Sequence, residues 1–231
     1  AVRAKSPDAL KFLFANGVDV EQRNSRDETP LHTACKNKGY LPAMQFLVEQ
    51  GASVSAVDER GRTPLFHAVM ADNIEGAKFL LQNGASINAV DESREAPLHA
   101  AVRYKDKSEM LKFLLENGAD VNSCDKMFRG PIWEAVRVGN LEGAKLLVEN
   151  GADLTLMDDK GRNVLFQAVE SNNQEMVRFL LEKEVPSNLV DRYGKTALML
   201  AIQSGDIKII QMLLDYEMLI SGEDSVVSRL G

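Results

Sequence analysis

The chain has 231 residues, 45% hydrophobic and 26% charged, the composition of a folded protein rather than a disordered one. Its net charge is −7, and bases alternate with acids, as in Asp58-Glu59-Arg60-Gly61-Arg62. A nucleic-acid partner is therefore not expected, because duplex binding needs clustered Lys and Arg to displace counterions from phosphate. No apolar run approaches the roughly 18 residues of a membrane span, and Ala1-Val2-Arg3-Ala4-Lys5 does not open a signal peptide.

Along the chain, one tetrapeptide recurs: Thr29-Pro30-Leu31-His32, Thr63-Pro64-Leu65-Phe66 and Ala96-Pro97-Leu98-His99. It continues more loosely as Gly130-Pro131-Ile132-Trp133, Asn163-Val164-Leu165-Phe166 and Thr196-Ala197-Leu198-Met199, at a period of about 33 residues. Each occurrence predicts a helix start. Thr29, Thr63 and Thr196 offer a capping hydroxyl, and Pro30, Pro64, Pro97 and Pro131 sit at the first helical position, where a missing N–H costs nothing. A second helix follows in each unit, with apolar residues at helical spacing, such as Ala77, Phe79, Leu80 and Leu81. It closes on Gly51, Gly84, Gly118 or Gly151, each suited to a left-handed turn. Then Asp58, Asp91, Asp125, Asp158 or Asp191 opens the next unit with turn chemistry.

This order of motifs resembles the ankyrin repeat over almost the whole chain. The resemblance implies an α-dominated repeat solenoid in which each repeat is a β-hairpin finger followed by two antiparallel helices. On that frame the chain divides into a truncated first repeat (1–23), six further repeats (24–57, 58–90, 91–124, 125–157, 158–190 and 191–220) and a tail or cap (221–231). The first repeat lacks its finger, which suggests a fragment of a longer protein. A single unit cannot bury its own apolar face, so neighbours must stack. Phe12, Phe46, Phe79, Phe113 and Phe179 are expected in that core.

Some positions depart from the pattern. Asp27, Arg94 and Phe128 stand where other finger tips carry glycine, and a positive φ there would strain them. One extra residue enters between the helices near Lys38-Gly39-Tyr40 and again near Lys105-Asp106-Lys107. The closing Gly-Ala pair is absent at Glu184-Val185-Pro186 and at Glu217-Met218.

No phosphate loop, zinc spacing or nucleophile motif occurs, so neither catalysis nor a cofactor or metal is expected. Two distant cysteines, Cys35 and Cys124, make no disulfide framework and suit an intracellular, cytoplasmic setting, with the nucleus as an alternative. The family resemblance places binding along the finger tips and the exposed end of the first helix of each repeat. The candidate partner-binding residues on that ridge are Arg60, Tyr104, Met127, Phe128, Arg129, Trp133 and Tyr193. Aromatic residues and Arg are enriched in binding hot spots. Structural roles compete at several of them: Trp133 stands where Phe66 and Phe166 do, and Phe128 could fold onto its own finger. The resemblance also makes Asn88, Asn122 and Asn188 candidates for hydroxylation. The expected role is a monomeric scaffold or adaptor for another protein. The alternatives are a regulatory segment of a larger enzyme, channel or secreted effector, and a structural spacer.

Overall fold

A computed structural model describes residues 11–12, 15–104 and 108–227, and the backbone alone for 221–227. The second inserted residue, near Lys105-Asp106-Lys107, and most of the truncated first repeat lie outside the described residues. Two compact units divide the chain, residues 1–126 and 127–231.

The first unit contains α1 (Pro30–Cys35), α2 (Leu41–Glu49), α3 (Pro64–Met70), α4 (Ile74–Gln82), α5 (Pro97–Val102) and α6 (Ser108–Glu116). The inner helices pack in order, α1 on α3 and α3 on α5, and each lies against its own outer helix, α1 on α2, α3 on α4 and α5 on α6. The second unit repeats the plan with α7 (Pro131–Arg137), α8 (Leu141–Glu149), α9 (Val164–Glu170), α10 (Gln174–Glu182), α11 (Ala197–Ser204) and α12 (Ile207–Val227). There α7 packs on α9 and α9 on α11, with α8, α10 and α12 outside.

Four of the inner helices begin at the proline of the repeated motif, as its missing N–H allows. The caps are less uniform than the sequence implies. Thr196 accepts from the Met199 N–H at 3.2 Å, and Thr29 accepts weakly from the His32 N–H at 3.5 Å. Thr63 makes no side-chain cap, and its buried hydroxyl has no partner. Three of the outer helices are started by asparagines outside the repeated motif: Asn73, Asn140 and Asn173 accept from the N–H three residues on. Asn73 also donates to the carbonyls of Cys35 and Asn37, so one amide caps its own helix and ties it to the preceding repeat.

The core is built mainly of small and aliphatic residues, such as Leu31, Ala34, Leu65, Ala68, Leu80, Leu98 and Leu114 in the first unit and Ala135, Leu147, Leu165, Ala168 and Leu180 in the second, with Phe66, Trp133 and Phe166 buried among the inner helices. The phenylalanine row departs from expectation. Only Phe179 is buried; Phe46, Phe79 and Phe113 are half-buried and Phe12 is 69% exposed. Helix geometry explains it, because α2 buries Ala43, Met44 and Leu47, and Phe46 lies about 100° round the helix from Leu47, at the edge of that face.

The fingers also differ from a β-hairpin, since no strand is assigned among the described residues. Five of the fingers are instead tight turns held by their first residue. The Asp58 N–H donates to the Arg62 carbonyl, and Asp58 Oδ1 accepts from the Arg60 and Arg62 N–H groups at 2.9 and 3.0 Å. Asn24, Asp91, Asp158 and Asp191 make the same bonds in their own fingers. The carboxylate closes the loop within five residues, which leaves too little extended chain for a ladder.

At the far end, α12 continues unbroken through Glu217 and past residue 220, because nothing at Glu217-Met218 provides the left-handed turn that Gly51, Gly84, Gly118 and Gly151 provide. Glu184 adopts that turn despite its side chain, at φ 59°.

Candidate functional site

The fingers stand in register. Within the first unit the Glu59 N–H donates to the Arg26 carbonyl, Glu92 to Arg60 and Lys126 to Ser93. Within the second, Asp159 donates to Met127 and Arg192 to Lys160. One backbone bond thus ties each tip to the next, and equivalent residues form rows along each unit.

The positive-φ expectation is met at all three departures from glycine: Asp27 has φ 56°, Arg94 61° and Phe128 61°, close to the 73° and 74° of Gly61 and Gly161. Phe128 does not fold onto its finger; it is 60% exposed. Met127 is 48% and Tyr193 72% exposed, and Arg60 also faces solvent. Arg129 is half-buried, and Tyr104 is exposed on the first unit. Trp133 is buried, in the position that Phe66 and Phe166 also fill. The sequence cluster therefore separates: Tyr104 belongs to the first unit, Met127, Phe128 and Arg129 form a tip on the second, and Trp133 is core. A row that sequence reading missed adds to these tips. Val57 and Val90 in the first unit, with Met157 and Val190 in the second, each precede a finger Asp and are exposed. Apolar residues at one fixed repeat position were the available signal.

The first unit also holds a buried charge cluster beside a hollow of about 260 Å³ lined by Arg26, Glu28, Lys36, Arg62, His67, Met70 and Ala71. Asp58 Oδ2 accepts from Arg62 Nε and Nη2 at 3.0 and 2.8 Å and from His67 Nε2 at 2.9 Å. Burial acts to raise the Asp58 carboxyl, but these donors and the backbone N–H groups of Arg60 and Arg62 hold it well below the usual carboxylate range. Burial is also the main influence on His67; with the charges of His32, Lys36 and Arg62 it outweighs Asp58 and lowers His67 to about 4. For Glu28, too, burial acts upward, yet bonds from Lys36 (2.5 Å) and Asn24 leave it lowered.

Glu28, Asp58 and His67 place ligand-type atoms within 4.8 Å of one another. They do not fit a cation, because both oxygens of Asp58 are filled by donors and Lys36 and Arg62 already supply the positive charge. The cluster joins repeats. Nδ1 of His32 accepts from the Thr29 N–H at 3.1 Å, so the ring proton lies on Nε2, which donates to the Arg62 carbonyl at 3.0 Å. The His32 and His67 rings meet edge to face at 5.2 Å.

The candidate asparagines occupy the link into the fingers. Asn88 is exposed and bonds the next repeat, its Oδ1 accepting from the Asp120 N–H at 2.9 Å and its Nδ2 donating to the Gly118 carbonyl at 3.4 Å. Asn122 is half-buried, with its N–H on Asp120 Oδ1, and Asn188 is exposed. On the outer-helix side of the second unit, α10 and α12 border an open groove of about 790 Å³ lined by Arg178, Glu182, Glu184, Asp215, Tyr216 and apolar residues.

Paired inner and outer helices repeated at a fixed period, with finger tips in register within each unit, define a helical repeat module. Comparison with known proteins names the repeat. The family described as "Ankyrin repeats (3 copies)" matches residues 1–91 and 132–224, and "Ankyrin repeats (many copies)" matches residues 80–127. The chain belongs to the ankyrin repeat family. It is 35% identical over 74 residues to human Ankyrin repeat and SOCS box protein 6, covering 32% of this chain and 18% of that protein. It is 42% identical over 66 residues to the Potassium channel SKOR of Arabidopsis thaliana, covering 29% and 8%. It is 34% identical over 64 residues to human Protein phosphatase 1 regulatory subunit 27, covering 28% and 41%. The matches thus span from 8% to 41% of these relatives' own lengths. No helix among the described residues is long and apolar enough to cross a membrane.

Proposed function

We propose that this chain is a monomeric protein-binding module, a scaffold or adaptor that holds a partner protein along its finger ridge and performs no catalysis of its own. Phe128 carries the reading. A left-handed residue with a side chain costs about 1–2 kcal/mol, and this ring gains little burial in return at 60% exposure. Strain kept at an exposed aromatic fits selection for contact with a partner. Met127 beside it and Tyr193 at the tip two fingers on extend the apolar surface, and registered tips offer it pre-organised, which limits the entropy lost on binding. Arg129 adds a base to this tip, and Arg60 and Tyr104 are proposed contacts on the first unit's own ridge. The buried titratable cluster is engaged in holding repeats together, which supports a structural rather than catalytic role for it.

The relatives favour a second reading, a regulatory segment within a longer protein, since SKOR is a channel and the phosphatase 1 protein a regulatory subunit. An intracellular setting agrees with Cys35 and Cys124 as two cysteines outside any disulfide. Hydroxylation at Asn88, Asn122 or Asn188 is a further proposal, checked by peptide mass spectrometry of protein isolated from its own cells.

Photo-crosslinking tests the ridge. A benzophenone side chain at position 128 or 193 is expected to capture the partner from lysate, and one at Arg178, on an outer helix, is not. The Met127→Ser/Phe128→Ser double variant should lose the same partner while remaining folded, its melting lowered only by the partial burial that the two side chains give up. Capture from position 178 alone would place binding on the outer helices and refute the ridge.

A further inference from the structure

The ridge of the second unit differs in charge from the rest of the chain. Three tips of the first unit each set an exposed acid beside an exposed base, Arg26 with Asp27, Glu59 with Arg60 and Glu92 with Arg94, while the fourth turns Lys126 outward beside a buried Asp125. The second unit breaks this balance. Its exposed tip cations are Lys160 and Arg192, with no ion pair among the described residues, and Lys195 reaches only the Gln203 amide at 3.2 Å. Asp158, by contrast, is buried and held by Arg162, and Asp191 is buried with Oδ1 on its own finger's N–H groups. Asp159 is therefore the one tip carboxylate on this unit that is more than marginally accessible. A chain of net charge −7 thus turns a basic row outward here.

Apolar side chains run alongside that row. Met157 and Val190 precede the same two fingers and are 46% and 58% exposed. Met127 and Phe128 extend the row at one end and Tyr193 at the other. The backbone bonds from Asp159 to Met127 and from Arg192 to Lys160 fix these rows side by side.

We infer that the second-unit ridge receives an acidic protein segment carrying aliphatic or aromatic side chains, its carboxylates meeting Lys160 and Arg192 and its apolar groups lying between Met127–Phe128 and Val190. The inference rests on the binding role proposed above and adds the partner's chemistry to it. Charge complementarity selects an acidic partner and repels a basic one. Flexible aliphatic contacts at Met127, Met157 and Val190 suit side chains of a polypeptide. A nucleic-acid strand, the other polyanion, is held by stacking on successive aromatic faces, which this row does not supply.

A displayed library of random linear peptides, selected on the whole chain, tests this. The expected result is enrichment of net-negative peptides with interspersed apolar residues. Their Kd should rise roughly tenfold, the equivalent of about 1.4 kcal/mol, on a Lys160→Glu/Arg192→Glu variant, and peptides with acids replaced by Lys should recover on that variant. Both positions are exposed, and unchanged melting confirms that the variant folds. Peptides without acidic bias that still depend on Met127 and Phe128 would overturn the inference and leave the ridge standing. Peptides indifferent to both variants, or no enrichment at all, would overturn the ridge as well. Binding of an oligothymidine strand more tightly than any enriched peptide would also overturn it, in favour of nucleic acid.

Discussion

Replacing Phe128 with glycine separates what the finger needs from what a partner needs. At φ 61°, an L-residue carries about 1–2 kcal/mol of left-handed strain, which glycine relieves. Against this, glycine adds about 0.5–1 kcal/mol of backbone entropy to the unfolded chain. The ring is 60% exposed, so its loss forfeits about two-fifths of a full burial of about 1.5–3 kcal/mol, or about 1 kcal/mol. The three contributions nearly cancel, and Phe128→Gly should change stability by less than about 1 kcal/mol, or about 2–4 °C in Tm. Phe128→Ala loses the ring and keeps the strain, so it should be less stable than the glycine variant by about 0.5–1 kcal/mol. Both should weaken the crosslinked partner equally, at least tenfold by titration calorimetry. A loss near 3 kcal/mol for the glycine variant would show that the ring supports the fold. Unchanged affinity would remove it from the site.

Other consequences follow from bonds that similar sequences do not share. Thr63→Val should be neutral or stabilising by up to about 1 kcal/mol, because its buried hydroxyl has no partner, and Thr29→Val should cost about 1–2 kcal/mol because Thr29 Oγ1 lies 2.9 Å from His32 Nδ1; urea unfolding of the pair decides this. Gly76→Ala should destabilise by about 1–2 kcal/mol despite better helix propensity. A Cβ there would lie 2.5 Å from Asn73 Nδ2 and displace the amide from Gly76, Cys35 and Asn37, which thermal melts will show. The first unit should lose stability as pH falls. His67 is lowered from 6.5 to about 4, so between those values the unfolded chain takes up a proton that the folded chain refuses. Asp58, also lowered, stabilises above its unfolded pKa of 3.8 and extends the loss to more acid pH. Urea midpoints across that range should show the slope, and His67→Gln should flatten its upper part.

The repeated motif carried in the sequence was enough for the architecture. Pro30, Pro64, Pro97 and Pro131 begin helices, and Gly51, Gly84, Gly118 and Gly151 end turns, because these outcomes depend on φ and on bonds within four residues of chain. Strain at Phe128 was legible for the same reason, and so was burial of Trp133, which shares a position with two other large aromatics. Tertiary structure decided whatever depends on which side chain arrives from another turn or repeat. Thr29 and Thr63 occupy equal positions, yet one hydroxyl meets a histidine ring and the other meets nothing. His67 follows an ordinary motif in sequence and becomes the centre of a buried network because Asp58 and Arg62 fold back over it. The phenylalanine row reads as core by periodicity, but a helix that buries one face leaves residues about 100° away at its margin. The basic, apolar ridge of the second unit was equally hidden. Lys160 and Arg162 look alike in sequence, and only the fold neutralises Arg162 with Asp158 and Glu170 while leaving Lys160 in solvent.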